Sequence, residues 1–345
     1  MTRRGHHMDK MQTPFRITNG FDVDYPDLLT SVDVNRPKSL LSRCPVANVT
    51  PLKTLTGFGS AGEVFVKDER FRTGVGSFKA LGTAYVIAHT AQNADQRGIT
   101  CVTASVCNHG ISVATGAWAF DAQAVIFLSH QVPKGFSACL EEHGAKVVFA
   151  GYDYAQSLEA AKKVAEENGW TLLSDTSWDS YWEKPRRLME GYFVAAAETA
   201  VQIPEPPKHI LLQSGVGGLF CAAAAYFTKI CGDGPKIIVA EPNAAVALYQ
   251  SIENGKLNTA DGPESSMGRL NCKTPSLIAL NGPARDADTF LLISDTEVDA
   301  APPVLQEQNL KTSPYAGVPM AALYHGIEGI GAPLLVLCFV SEQVA

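Results

Sequence analysis

The chain has 345 residues, of which 46% are hydrophobic and 18% charged, and its net charge is −7. This length accommodates two domains, or one large domain with a smaller one inserted, and the composition excludes a disordered or fibrous chain. Because the balance is acidic and Lys and Arg are scattered, with no run longer than two, nothing predicts binding to nucleic acid or to an anionic membrane surface. We therefore expect a small-molecule partner.

The sequence shows no signal for export or membrane insertion. Residues 1–10 are basic and polar but lead into no apolar stretch, so they lack the core of a secretory signal. The longest apolar run, residues 334–340, is far shorter than the ~20 residues that cross a bilayer. The eight cysteines form no Cys-x-x-Cys pair and no zinc-type grouping with histidine. These features predict reduced thiols, a cytoplasmic location and no metal site.

Strand and helix signals alternate along the first half of the chain. Residues 63–67 predict a strand, and residues 77–90 predict a helix whose apolar side chains fall at helical spacing. Four β-branched runs follow at intervals of roughly 22–25 residues, which fits the strands and crossover helices of a parallel sheet. These runs are 100–103, 124–128, 146–149 and 171–173.

The same alternation restarts after a long helical segment at residues 184–201. We predict an α/β fold with two open, twisted, mostly parallel sheets and helices on both faces. The large domain is expected to comprise residues 1–95 and 183–345, and a small mobile domain residues 96–182, with the active site between them. The later predicted elements are a strand at 209–212, a helix at 217–229, a strand at 236–240, a loop region at 255–288, and strands at 290–294 and 333–339.

Lys79 follows a glycine-rich entry at residues 74–78 and lies in the first turn of a predicted helix. A lysine amine forms an imine with an aldehyde cofactor when burial or a neighbouring charge lowers its pKa from about 10.4. The glycines would let a bulky planar group approach the backbone. Taken alone, the motif also fits a surface lysine on an amphipathic helix.

A second glycine-rich segment, residues 213–219 (QSGVGGL), follows a predicted strand and opens a predicted helix. Backbone N–H groups and the helix dipole hold a phosphate in this arrangement. The alternatives are a dinucleotide fold, with Glu241 after the next strand, and a tight turn that only packs the helix. The dinucleotide motif requires a third glycine where this chain has Phe220, and the ending of a Walker loop is absent.

A third segment, residues 105–110 (SVCNHG), lies between a predicted strand and a predicted helix. Ligands of open α/β sheets gather at such carboxyl ends of strands. Asn108 is a candidate to hydrogen-bond the phenolic oxygen of a bound ring. The alternative is that Asn108 caps the helix.

These three motifs, in this order, resemble the tryptophan-synthase-β family of pyridoxal-phosphate enzymes, which has fold type II. Within that family the sequence is similar to the diaminopropionate ammonia-lyases over about residues 50–342. The likeness is carried by FKALG at 78–82, DTSW at 175–178 with Tyr181, Gly191-Tyr192, residues 213–217, and MGRLNC at 267–272.

The resemblance implies roles for individual residues. Lys79 would carry pyridoxal 5'-phosphate as a Schiff base, and Asp175 would be the acid or base for the L-substrate. Ser341 would meet the pyridine nitrogen, where a neutral partner favours elimination over transamination. Without the resemblance, the sequence around Asp175 is also consistent with an aspartate that stabilises a turn or caps a helix. The remaining cofactor-binding residues would be Asn108 beside the ring oxygen, and Ser214, Gly215, Val216, Gly217 and Gly218 around the phosphate.

The sequence departs from the ammonia-lyase pattern at two places. Val106-Cys107 stands where those lyases have Asp-Gly, so the carboxylate that serves the D-enantiomer is missing. Cys107 is either a reactive thiol near the cofactor or a small buried hydrophobe. Gln343 replaces the glycine expected after the last strand, which alters the pocket predicted around the pyridine nitrogen.

The resemblance therefore predicts a cytoplasmic, homodimeric carbon–nitrogen lyase that converts L-2,3-diaminopropionate to pyruvate and ammonia. Two alternatives keep the cofactor: a dehydratase of serine, threonine or another β-hydroxy amino acid, and a β-replacement synthase. A third alternative is a nucleotide-binding oxidoreductase built on residues 215–241. A non-catalytic cofactor-binding protein is the fourth.

Overall fold

A computed structural model describes residues 8–12, 32–92, 98–105, 108–133, 135–332 and 334–344. Within these ranges it contains eleven β-strands and twelve α-helices. The predictions made for Val106 and Cys107, and for Pro333 as the start of the last strand, lie outside the described residues.

Seven strands form the larger sheet. They are β1 (Asp9–Gln12), β2 (Leu52–Thr56), β3 (Glu63–Asp68), β8 (His209–Gln213), β9 (Lys236–Pro242), β10 (Thr289–Ile293) and β11 (Leu335–Val340). Their order is β1-β10-β9-β8-β11-β3-β2. The five central strands are parallel, and the two edge strands pair antiparallel. Every residue of β11 is buried, as expected of a central parallel strand covered on both faces.

Four strands form the smaller sheet, and all of them are parallel. They are β4 (Thr100–Ala104), β5 (Gln123–Leu128), β6 (Ala145–Phe149) and β7 (Thr171–Leu172), in the order β6-β5-β4-β7. The predicted α/β fold with two mostly parallel sheets is thus confirmed. The exact limits of the two domains, 1–95 with 183–345 and 96–182, stay a prediction.

Helices connect and cover both sheets. They are α1 (Asn35–Leu41), α2 (Lys79–Ala91), α3 (Asn108–Trp118), α4 (Gly135–Glu142), α5 (Tyr154–Asn168), α6 (Glu183–Gln202), α7 (Gly218–Cys231), α8 (Ala247–Glu253), α9 (Asn281–Asp286), α10 (Asp295–Asp299), α11 (Ala301–Glu307) and α12 (Val318–His325). The loop predicted at 255–288 therefore ends in α9. Short 3₁₀ segments lie at Glu69–Gly74, Leu277–Ala279 and Tyr315–Gly317.

Helices α2 and α6 join the cores of the two sheets. Phe193 of α6 is fully buried in the core of the larger sheet, together with side chains of α2 and α7. Ile87 of α2 and Leu188 of α6 belong to a second core that includes α3 and the strands of the smaller sheet. Lys79, the first residue of α2, is therefore placed where the two sheets meet.

Candidate active site

The segment that precedes Lys79 turns sharply and is anchored by a buried arginine. Thr73 and Gly76 have left-handed φ values of 49° and 73°, a conformation that glycine adopts without steric cost. Just before this turn, Arg72 is 1% exposed, and its Nη2 lies 2.6 Å from Oε2 of Glu198. The buried ion pair fixes the point from which the chain enters α2.

Lys79 contacts Asp175, which follows β7 of the smaller sheet. Lys79 Nζ lies 2.5 Å from Asp175 Oδ2, and the two side chains are 20% and 17% exposed. Burial opposes the charge on Lys79, but the attraction of Asp175 outweighs it and raises the lysine pKa. Burial also opposes the charge on Asp175, and Lys79 outweighs it and lowers the aspartate pKa. The pair is therefore ionised, and the amine becomes a nucleophile only after Asp175 or another base accepts its proton.

The glycine-rich turn lies between β8 and α7, as the sequence predicts. Gly217 has φ 100° and precedes the first residue of α7. A Cβ on Gly217 would lie 2.8 Å from the Cβ of Ala279, so a side chain at this position meets both strain and a clash. The first N–H groups of a helix lack intrahelical acceptors. Residues 214–218 thus form a turn of small residues at the amino end of a 14-residue helix, an arrangement suited to an anion.

Ser276 joins this turn to the loop that carries Asp175. The backbone N–H of Ser276 donates to the carbonyl of Val216 at 3.0 Å. The N–H of Ser177 donates to the Ser276 hydroxyl at 3.0 Å. Two of the predicted site segments, which are far apart in the sequence, are therefore held together by one serine.

Asn108 begins α3 and contacts a carboxylate that the sequence analysis did not single out. Its Nδ2 donates to Oε2 of Glu342 at 2.5 Å. Glu342 lies two residues after the end of β11, is 4% exposed and forms an ion pair with Arg269. The Ser77 hydroxyl lies 3.5 Å from the same Oε2. The available signals were an acidic residue after a strongly apolar strand and an arginine within the MGRLNC motif.

The end of β11 is tied to the entry of α2. Ser341 is 5% exposed, and its carbonyl accepts the N–H of Phe78 at 3.1 Å. Gln343 donates its N–H to the carbonyl of Gly76 at 2.9 Å, and its side chain occupies the space that a Cβ on Gly76 would need. These bonds place Ser341 beside the Lys79 segment. Its role toward a pyridine nitrogen stays a prediction.

Two uncharged side chains, those of His109 and Cys272, lie near the Lys79–Asp175 pair. His109 is 6% exposed, and burial lowers its pKa; the neutral ring donates from Nε2 to the carbonyl of Leu173 at 2.8 Å. Burial, and then the nearby Asp175, raise the pKa of Cys272 to about 12. Each of these groups is neutral near pH 7, so neither adds a charge beside the ion pair.

A cleft of about 450 Å³ adjoins Asn108, a volume that accommodates a small ligand. It is lined by residues of α3 and α4 and by Gln343 near the chain end. Among the described residues, no group of three or more His, Cys, Asp or Glu side chains could hold a metal ion. The helices within the described ranges include none that is long and apolar enough to span a bilayer.

Comparison with known proteins identifies the family of the chain. The model of a family described as pyridoxal-phosphate dependent enzyme matches residues 45–342. The diaminopropionate ammonia-lyase of Salmonella typhimurium is 32% identical over 267 residues, which cover 68% of this chain and 64% of that protein. The chain thus spans less than two thirds of that lyase. A serine dehydratase-like protein of Rattus norvegicus is 27% identical over 290 residues, covering 83% of this chain and 84% of the rat protein.

Solved structures show the same fold. The diaminopropionate ammonia-lyase of Escherichia coli, in complex with an aminoacrylate-PLP azomethine reaction intermediate, superposes with a TM-score of 0.86 and 22% sequence identity. The match covers 98% of this chain and 94% of that one. The overall architecture is therefore that of a fold-type-II enzyme.

Proposed function

Because the chain belongs to the family of pyridoxal-phosphate-dependent enzymes, we propose that it is an ammonia-lyase that eliminates a β-substituent from a small amino acid. The proposed substrate is L-2,3-diaminopropionate, and the products are pyruvate and ammonia. The similarity to the Salmonella lyase supports this choice. The observation that carries the proposal is the partly buried contact of 2.5 Å between Lys79 and Asp175.

The residues present fit pyridoxal 5'-phosphate. Lys79 supplies an amine for the aldehyde, and Ser214, Gly215, Val216, Gly217 and Gly218 supply the helix-terminal turn for the phosphate. Asn108 would lie beside the ring oxygen, and Ser341 beside the pyridine nitrogen. When bound, the cofactor would supply an electron sink for the negative charge that develops at the substrate α-carbon. Membership of the pyridoxal-phosphate-dependent family excludes the alternative of a nucleotide-binding oxidoreductase.

The protein's own residues then move protons. Asp175, at 2.5 Å from Lys79 Nζ, is placed to accept the ammonium proton and leave a nucleophilic amine. With a substrate amino acid held at the cofactor, the free Lys79 amine or Asp175 would accept the α-proton. Asp175 or a bound water donates a proton to the departing β-amine. His109 is neutral, so it adds no second positive charge beside this pair.

Proton removal by Asp175 predicts a preference for L-substrates. A base removes an α-proton only from the face on which it lies, within hydrogen-bond reach. Asp175 matches the residue proposed for the L-face, and Val106, at the position proposed for the D-face, cannot accept a proton. We therefore expect little turnover of D-2,3-diaminopropionate. Comparable rates with both enantiomers would contradict this assignment.

A dehydratase of serine or threonine, or a β-replacement synthase, is the second candidate. The similarity to the serine dehydratase-like protein, over 83% of this chain, supports the dehydratase as a candidate function. Keto-acid and ammonia release should be measured with L- and D-2,3-diaminopropionate, L-serine and L-threonine, with and without an added nucleophile. Highest kcat/KM with L-diaminopropionate supports the proposal. Highest kcat/KM with a hydroxy amino acid overturns it, as does a new amino acid formed from the nucleophile.

The Asp175→Asn variant tests the carboxylate directly. It should lose about 10²- to 10⁴-fold in kcat on the L-substrate, the usual worth of a general acid or base, while it still binds the cofactor. Asp179→Asn, at an exposed position four residues later, is the matched control and should keep the wild-type rate. An Asp175→Asn variant with normal kcat would leave Asp175 with a structural role only.

We also propose a cytoplasmic homodimer. The described cysteines, seven in number, are all free, which agrees with a reducing compartment. Light scattering of the purified protein tests the assembly, and a mass near 37 kDa, that of one chain of 36.9 kDa, would contradict it.

A further inference from the structure

Tyr192 carries a buried hydroxyl that has no assigned partner. The residue lies in the middle of α6 and is 3% exposed. Among the described residues, its Oη has no hydrogen-bond partner. Leaving a buried hydroxyl unpaired costs roughly 1–3 kcal/mol. Since the fold retains the unpaired hydroxyl despite this cost, we expect a bound ligand to supply its hydrogen-bond partner.

The Tyr192 ring lies between the helix that begins at Lys79 and the helix that begins at the glycine-rich turn. Its Cε1 and Cζ lie 2.5 Å and 2.9 Å from the position of a Cβ on Gly82 in α2. Its Cε2 lies 3.5 Å from a Cβ position on Gly218, the first residue of α7. On a third side the ring meets Phe78 edge-on, with 4.9 Å between centroids. Only a glycine at position 82 leaves room for the ring, whereas the distance to Gly218 is an ordinary van der Waals contact, and these neighbours confine the ring.

The hydroxyl is a hydrogen-bond donor at neutral pH. Burial raises the pKa of Tyr192 to about 12, Lys79 opposes the shift, and Asp175 adds to it. The charges of Lys79 and Asp175 both act on this phenol, and its ring adjoins Gly218 at the amino end of α7. A neutral phenol can therefore donate its proton to an anion in this space.

We propose that Tyr192 is a further cofactor-binding residue, whose hydroxyl donates a hydrogen bond to a phosphate oxygen of pyridoxal 5'-phosphate. The glycine-rich turn supplies backbone N–H groups from one side, and Tyr192 supplies a side-chain donor from α6. A phosphate has enough acceptor oxygens for both. This role requires a cofactor phosphate at the turn and is independent of which amino acid is the substrate.

The test compares two ligands that differ only in the phosphate. Apo-protein is titrated with pyridoxal 5'-phosphate and with pyridoxal, followed by visible absorbance and tyrosine fluorescence. Tyr192→Phe keeps the ring between Gly82 and Gly218 and removes only the hydroxyl. It should weaken binding of pyridoxal 5'-phosphate by about 10- to 100-fold, the loss expected for one hydrogen bond to a charged group. Binding of pyridoxal should stay within about twofold of wild type, because the lost bond is to the phosphate.

The matched control is Tyr85→Phe. Tyr85 is 1% exposed in α2, and its hydroxyl already has a partner, Glu190 Oε2 at 3.4 Å. This variant should bind both ligands as wild type does. Unchanged affinity of Tyr192→Phe for pyridoxal 5'-phosphate would overturn the proposal. Equal losses for both ligands, whether from damage to the fold or from a contact with the ring, would overturn it as well.

Discussion

Gly191→Ala is expected to force apart the two helices that place Lys79. A Cβ on Gly191 of α6 would lie 2.6 Å from the carbonyl oxygen of Leu81 and 2.7 Å from the Cα of Gly82, both backbone atoms of α2. Normal carbon–carbon contact is about 3.5 Å, so the helices must separate by roughly 0.8 Å. Overpacking of this kind costs about 1–3 kcal/mol. The unfolding temperature of the apo-protein should fall by about 1–4 °C.

The cofactor provides the second readout of this variant. Lys79 lies one turn before Gly82 on the displaced helix, so the 2.5 Å contact with Asp175 is also disturbed, and affinity for pyridoxal 5'-phosphate should fall. Gly116→Ala is the matched control, because its Cβ would meet only the mobile end of Ile87, at 2.8 Å, and Thr83 Cγ2 at 3.6 Å on the same helix. Equal unfolding temperatures for the two variants would refute the reasoning from the backbone contact.

Two further variants test other parts of the structure. Gly217→Asp should reduce affinity for pyridoxal 5'-phosphate at least about tenfold, because a carboxylate enters the anion-binding turn. The control is Gly232→Asp, in open space at the other end of α7, which should leave this affinity unchanged. Burial raises the pKa of Glu241 from 4.5 to about 8, so between these values the folded chain keeps a proton that the unfolded chain loses. Stability should therefore fall with rising pH, by up to about 1.4 kcal/mol per unit. When the free energy of unfolding is measured in urea from pH 5 to 8, Glu241→Gln should lack this decrease. The same pH dependence in the variant and the wild type would contradict the prediction.

The repeating part of the fold could be predicted from the sequence. The β-branched runs at 100–103, 124–128 and 146–149 correspond to β4, β5 and β6. Of these, β4 and β5 are buried parallel strands, which need continuous apolar residues. The edge strands β1 and β2 were not predicted, since they are short and β2 is partly exposed. Helix α12 was missed because Val318–Leu323 is buried all round, and such a helix has no amphipathic period.

The candidate site could be predicted only where its residues lie within short motifs. Lys79, Asn108 and the turn at 214–218 each follow a strand or a glycine-rich entry, which local patterns reveal. The partner of Asn108 is Glu342, which is 234 residues away in the chain. Such pairings depend on which strands are neighbours in the sheet, and single-sequence patterns do not contain that information.

The most direct test of the central claim is to identify the lysine that carries the cofactor. The protein loaded with pyridoxal 5'-phosphate is reduced with borohydride, digested, and analysed by mass spectrometry for the phosphopyridoxyl group. The account predicts modification of Lys79 alone in the wild type, loss of the visible absorbance on reduction, and no modified peptide from Lys79→Ala. Modification of a different lysine in the wild type, or a Lys79→Ala variant that remains coloured and active, would contradict it.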